Sequence, residues 1–280
     1  MKLLKNLSPT VLLSGLKQSK DLFTSFGSVF TQFNDDIKLS LAHKKVAKGL
    51  KNLNCPVENM QESYMHMESN HLEIFPFHGL LIKDNHRLLD SFPIITALDD
   101  NKDSLKDIQK MFEGTFCRVQ TSTFDINNFN LNPNKKFGSI ALNFALDKIN
   151  GDSKKIEEFI VKVKGLLQES GGIVFGLSAP YLGLNHKKNA LGYIKNKNDL
   201  GEWSNLDFSV NDLQKILKKH FDQYGLYHIG SCVIFRGIIN KKIPDLAKHR
   251  PTLESLRGKH LKVQPEDFYK WVRNLEKFKK

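Results

Sequence analysis

The feature that most constrains the fold is at the end of the core sequence. "LYHIG" (226–230) and "CVIFRGI" (232–238) both read as strands, and almost nothing connects them. Parallel neighbours need a crossover of about a dozen residues or more, so this pair must be antiparallel. What precedes it points the other way. From residue 71 onward, short apolar or alternating runs take turns with 10–15-residue amphipathic ones, the signature of βα units and a parallel sheet covered on both faces. The strands are expected in "HLEIFPF", "PIITALDD", "TFCRVQTST", "FGSIALNFAL" and "GGIVFGLS". The helices are expected in "GLLIKDNHRLLDSF", "NKDSLKDIQKMF", "KKIEEFIVKVKGLLQ" and "SVNDLQKILKKHF", with Ser209 capping the last. The expected fold class is therefore α/β: a Rossmann-like, mostly parallel seven-stranded sheet, helices on both faces, and an antiparallel terminal strand.

Helical extensions flank this core. Phe23, Phe26, Phe30 and Phe33 lie at helical spacing, and residues 36–53 continue as an amphipathic helix. At the other end, "QPEDFYKWVRNLEKF" puts Phe268, Trp271, Val272 and Leu275 on one helix face, with Pro265, Glu266 and Asp267 in its first turn. The expected division is a helical N-terminal extension or lid at 1–69, a Rossmann domain at 70–239 and a basic helical tail at 240–280.

Of the net charge of +12, most sits at the two ends. Residues 1–20 hold four Lys and no acid, and residues 241–280 hold twelve Lys/Arg against five Asp/Glu. The middle of the chain is close to neutral. Such ends are solvated Lys-rich helices or attract a protein or RNA partner. The three cysteines, Cys55, Cys117 and Cys232, are too few and too scattered for a disulfide framework or a CxxC metal knuckle. A reducing, cytoplasmic setting follows; the acid-free N-terminus, which lacks Arg, leaves organelle import as the alternative. No apolar run approaches the roughly 20 residues of a membrane span. His66, His71, His78 and His86 match no zinc spacing, so no metal is expected.

The order of elements resembles the class I S-adenosylmethionine-dependent methyltransferases of the small-molecule type, over roughly residues 70–237. "PIITALDDNKDSL" resembles their second strand, which puts Asp99 where an acid binds the ribose hydroxyls. "KKFGSIALNFALDKING" resembles the fourth, with Asn143 and Phe144 bordering the cofactor. "KGLLQESGGIVFGLS" resembles the helix, Gly-Gly turn and fifth strand. The family's cofactor loop reads acid-x-Gly-x-Gly-x-Gly. Against "EIFPFHG", Glu73 takes the acid and Gly79 the last glycine, while Phe75 and Phe77 replace the first two. Ser122 stands nearest the acid that follows the third strand. The resemblance implies S-adenosylmethionine as cofactor and a small-molecule acceptor. The catalytic candidates are Asn185 and His186 in the loop after strand five, and Asp147 where such enzymes often carry a His. The degenerate loop leaves a second reading open: a catalytically inactive pseudo-methyltransferase that binds a partner, through its basic termini among other surfaces.

Overall fold

The structure is a computed structural model that describes residues 38–82, 93–128, 132–169 and 171–239. The phenylalanine stripe and the helix expected at 264–278 lie outside these residues. So does most of the helix expected after the first strand, of which a 3-10 turn at Phe77–Gly79 and a further turn to residue 82 are described.

Residues 38–52 form helix α1, and Val57–Ser63 form α2. The sheet and its helices then follow: β1 (Asn70–Ile74), β2 (Ile94–Asp99), α3 (Lys102–Met111), β3 (Arg118–Thr123), β4 (Ser139–Asn143), α4 (Ser153–Gly165), β5 (Ile173–Ser178), α5 (Lys188–Asp199), α6 (Val210–His220), β6 (Gln223–Ile229) and β7 (Cys232–Ile238). The sheet has seven strands in the order β3-β2-β1-β4-β5-β7-β6. Strands β1 to β5 pair in parallel; β7 runs antiparallel to both β5 and β6. The expected fold class holds.

Local chemistry explains the framework. Strands β4 and β5 are buried along their whole length, as parallel strands covered on both faces must be. On α4 the buried residues are Ile156, Phe159, Ile160 and Val163, a repeat of three and four that makes one apolar stripe. Together with Leu213, Ile216 and Leu217 of α6 they pack one sheet face against Leu72, Ile74 and Leu142. The other face, with Ile95, Ala97, Phe175 and Leu177, carries α1, α2, α3 and α5 through Leu50, Met60, Ile108 and Ile194. Side chains of Asn101, Asp152 and Ser209 cap α3, α4 and α6, each accepting an N–H of the first turn. The Gly171–Gly172 turn into β5 needs both glycines. Gly171 has φ of 91°, and a Cβ on Gly172 would stand 2.6 Å from the Gln168 carbonyl oxygen.

One element differs from expectation. The stretch after β5 reads as a loop, yet Lys188–Asp199 is helical. It buries only Ala190 and Ile194 and contains Gly192 and several Asn, so neither propensity nor periodicity marks it. Its helix is a consequence of packing.

Candidate functional site

In an open α/β sheet the ligand crevice lies outside the C-terminal ends of the strands, where the strand order reverses. Here that point is between β1 and β4. The residues that leave β1 are Phe75, Pro76, Phe77, His78 and Gly79. Phe75, Phe77, His78 and Gly79 have φ of 60°, 49°, 56° and 77°. Pro76, at φ −69°, is in its normal range. The backbone therefore makes left-handed turns that favour glycine, with bulky side chains at three of the four left-handed positions.

The two phenylalanine rings part to opposite sides of the sheet. Phe75 donates its N–H to Leu98 O at 2.8 Å, continuing the β1–β2 ladder, and its ring is buried in the α4/α6 core. There the ring lies 6.1 Å from Phe124, and Lys148 Nζ sits 3.8 Å above its centroid. The same ammonium bonds Asp100 Oδ2 at 2.9 Å. Asp100 follows β2 and Lys148 follows β4, so the ion pair spans the end of β1 from one neighbour to the other. Burial alone would raise the Asp100 carboxyl, but its bond to Lys148 and that charge bring it below the ordinary range. Phe77 turns to the other face and meets Phe144 edge-on at 5.8 Å. Phe144, itself at φ 52°, stacks on Trp203 at 5.2 Å, and Trp203 meets Tyr193 of α5 at 5.9 Å. Four rings thus run from the β1 turn to α5.

Behind the turn is a closed polar cluster. Glu73 is fully buried and accepts three hydrogen bonds: from Tyr64 Oη at 2.6 Å, from His71 Nε2 at 2.9 Å and from Asn143 Nδ2 at 3.1 Å. Asn143 Nδ2 also donates to Tyr64 Oη at 2.5 Å. The other imidazole nitrogen, His71 Nδ1, lies 2.8 Å from Ser139 Oγ, which accepts the Glu68 N–H at 2.7 Å. With a neutral imidazole protonated at Nε2, Ser139 donates to Nδ1 and Nε2–H donates to the carboxylate. Burial, then the adjacent Glu73 charge, pushes the Tyr64 phenol well above its usual value.

Asp99 ends β2, buried, and its Oδ1 accepts the Asn101 N–H at 3.0 Å. Burial drives its carboxyl up to about 6, against opposing bonds from Asn101 and Ser104. Asp147, also buried, accepts through Oδ1 from Ser178 Oγ, the Ala179 N–H and Asn205 Nδ2 at 3.2, 3.0 and 2.7 Å. Its Oδ2 has no partner among the described residues, and burial raises this carboxyl to about 6 as well. For an acid raised from about 3.9 unfolded to about 6 folded, the folded state binds the extra proton. Stability must then rise as pH falls from about 6 towards 4. We expect the Tm of the Asp99→Asn/Asp147→Asn variant to gain less between pH 7 and pH 5 than that of the parent chain. Parallel pH–Tm curves for the two proteins would show that these carboxyls are not the source.

Of the residues singled out from sequence, Glu73 and Asn143 are brought into direct contact, and Phe77 and Phe144 into ring contact. Asp99 stands at the end of β2 beside them in the sheet. Ser122 is exposed, and its hydroxyl bonds Thr123 O at 3.3 Å. Asn185 is exposed, and His186 Nε2 bonds the Tyr181 carbonyl at 3.0 Å within its own turn; no bond joins either to Asp147. Sequence reasoning missed Tyr64, Lys148, Trp203 and the role of His71. The one available signal was His71 with Glu73, two polar residues at i and i+2 on the same face of a buried strand. Two open depressions of about 550 Å³ each lie elsewhere, one along α3 and β3, the other between α1 and Leu80 with Met111. Among the described residues no group of three or more His, Cys, Asp or Glu is placed to hold a metal, and no helix is long and apolar enough to cross a membrane.

Comparison of the sequence with family models and with curated proteins returns no match. Comparison of the structure returns many. A chain described as an O-methyltransferase from Nostoc punctiforme superposes with a TM-score of 0.51 at 12% identity, over 70% of this chain and 58% of that one. The fold is that of the class I methyltransferases. An S-adenosylmethionine-dependent methyltransferase from Aquifex aeolicus, at TM-score 0.49 and 12% identity, covers 71% of this chain and 97% of its own. The magnesium protoporphyrin IX methyltransferase of Synechocystis, whose structure holds S-adenosylhomocysteine, stands at 0.45 and 12%, over 71% and 84%. The methyltransferase fold explains why the strand-end residues meet where they do. At these identities it carries no substrate with it, and the present chain spans 58% of the Nostoc chain.

Proposed function

We propose that this chain is a pseudo-methyltransferase: a methyltransferase fold whose nucleoside crevice is filled by its own side chains, and which acts as a binding module. One observation carries the reading. Phe75 lies under Lys148 Nζ at 3.8 Å, and the Lys148–Asp100 pair bridges the ends of β4 and β2 across it. A nucleoside at the switch point needs that space and a backbone it can approach closely.

On this reading the residues do not fit S-adenosylmethionine in the family's usual pose. The loop keeps glycine-like dihedrals but carries rings. The Glu73 carboxylate is occupied by three internal donors. Asp99 is turned to the start of α3. The function then rests on surfaces, and the basic segments 1–20 and 241–280 supply the charge for an acidic protein or an RNA. A reducing, cytoplasmic setting accords with three free, buried cysteines.

The rival is a working small-molecule methyltransferase, and calorimetry separates the two. Titrating the full chain with S-adenosylhomocysteine to millimolar concentration is expected to give no binding heat and no shift in Tm. Micromolar binding, weakened in Asp99→Ala, would overturn the proposal and favour the enzyme.

A further inference from the structure

The fold brings two of the three cysteines together, although they lie far apart in the sequence. Cys55 follows α1 and Cys232 opens β7; both are free and fully buried in the same core cluster. The backbone holds their two segments in place. The Ser231 N–H donates to Leu53 O at 2.8 Å, and the Cys55 N–H donates to Leu50 O at 2.9 Å. Gly230, at φ 59°, lets the β6–β7 turn come this close: a Cβ there would stand 2.6 Å from Leu53 O. The two thiols meet in a hydrogen bond. Cys117 is elsewhere, before the edge strand β3 and beside α3.

Among the described residues no third His, Cys, Asp or Glu completes a metal site at this contact, so thiol chemistry is what the pair can offer. Burial first, then the neighbouring Cys55, pushes the Cys232 thiol well above its usual value. That thiol is protonated at neutral pH, and its reaction waits on an opening of the corner.

We infer that Cys55 and Cys232 are a redox-sensitive pair, two thiols when reduced and a disulfide when oxidised, which fastens the α1–α2 corner to the β6–β7 turn. The oxidant is a low-molecular-weight disulfide such as oxidised glutathione. One cysteine, as its thiolate, attacks a sulfur of the oxidant; the oxidant S–S bond breaks and one thiolate leaves. The second cysteine attacks the mixed disulfide, the Cys55–Cys232 bond forms and the other oxidant thiolate leaves. Two protons and two electrons pass from the protein to two oxidant thiols. Reversible disulfides of this kind are the ones a reducing compartment allows. The consequence reaches the β1 turn through α1, where His43 Nε2 donates to His78 O at 2.9 Å. Oxidation pins the C-terminal end of the helix that braces the turn.

Peptide mapping tests this on the full chain. The protein is unfolded in urea, refolded in a glutathione redox buffer, alkylated and analysed by mass spectrometry without reduction. The monomer is expected to carry the Cys55–Cys232 link at least tenfold more often than either link to Cys117. The folded chain incubated with oxidised glutathione is expected to gain the same link, and dithiothreitol to remove it. The linked form is expected to melt about 5–10 °C above the reduced form, a rise that Cys232→Ser lacks. Similar amounts of all three links, or alkylation of both Cys55 and Cys232, overturns the inference. A folded chain that never gains the link, or a link that leaves Tm unchanged, overturns it too.

Discussion

Phe75→Ala is expected to be less stable than Phe75→Gly by about 1 kcal/mol, the reverse of the usual order of these residues. The reason is the backbone. Phe75 has φ of 60°, where a Cβ costs about 1–2 kcal/mol and glycine costs none. Both variants lose the ring from beside Phe124 and under Lys148, and a buried Phe removed to Ala costs about 3–5 kcal/mol. Glycine recovers about 1 kcal/mol of strain, so its net loss is about 2–4 kcal/mol. Restoring the family's residue therefore destabilises the chain, although less than alanine does. Chemical denaturation of both variants reads the two numbers against the parent. If Phe75→Gly is more stable than the parent, the ring is not a packed part of the core, and the filled crevice fails with it. If alanine and glycine rank in the ordinary way, the left-handed turn is absent.

That turn also shows what the sequence could and could not reveal. Strand direction was legible because two physical rules leave little choice: consecutive strands with no crossover are antiparallel, and strands joined by amphipathic helices are parallel. The Gly171–Gly172 turn and the Ser209 cap were legible for similar local reasons. The conformation after β1 was not. A sequence of Phe-Pro-Phe-His argues against successive left-handed residues, and only the ring contacts on both sheet faces support them. Asp147 was picked out by position alone; its partners Ser178 and Asn205 are 31 and 58 residues away. Helix α5 was missed because tertiary packing, through Ala190 and Ile194, outweighs its weak local preference. Glu73 was assigned to a cofactor because it occupies the acid position. Nothing local says that Tyr64, His71 and Asn143 would converge on it.

Glu73 therefore separates the two kinds of role most sharply. Glu73→Ala is expected to lose about 2–6 kcal/mol, a large share of a total stability of about 5–15 kcal/mol. Two buried donors lose their acceptor, Tyr64 Oη and His71 Nε2, while Asn143 Nδ2 keeps its bond to Tyr64 Oη. Each orphaned group costs about 1–3 kcal/mol at a site where His71 and Glu73 are both fully buried. Glu73→Gln is expected to cost less, about 1–2 kcal/mol. Its amide oxygen still accepts from Tyr64 and Asn143, and the clash of its NH₂ with His71 Nε2–H is relieved if the imidazole moves its proton to Nδ1. Ser139 Oγ can accept that proton beside the Glu68 N–H, because the hydroxyl oxygen has two lone pairs. A carboxylate kept for a ligand behaves in the opposite way: its removal leaves the fold intact and abolishes binding. Urea denaturation of the two variants decides the matter, and a Glu73→Ala chain within about 1 kcal/mol of the parent would return Glu73 to the cofactor.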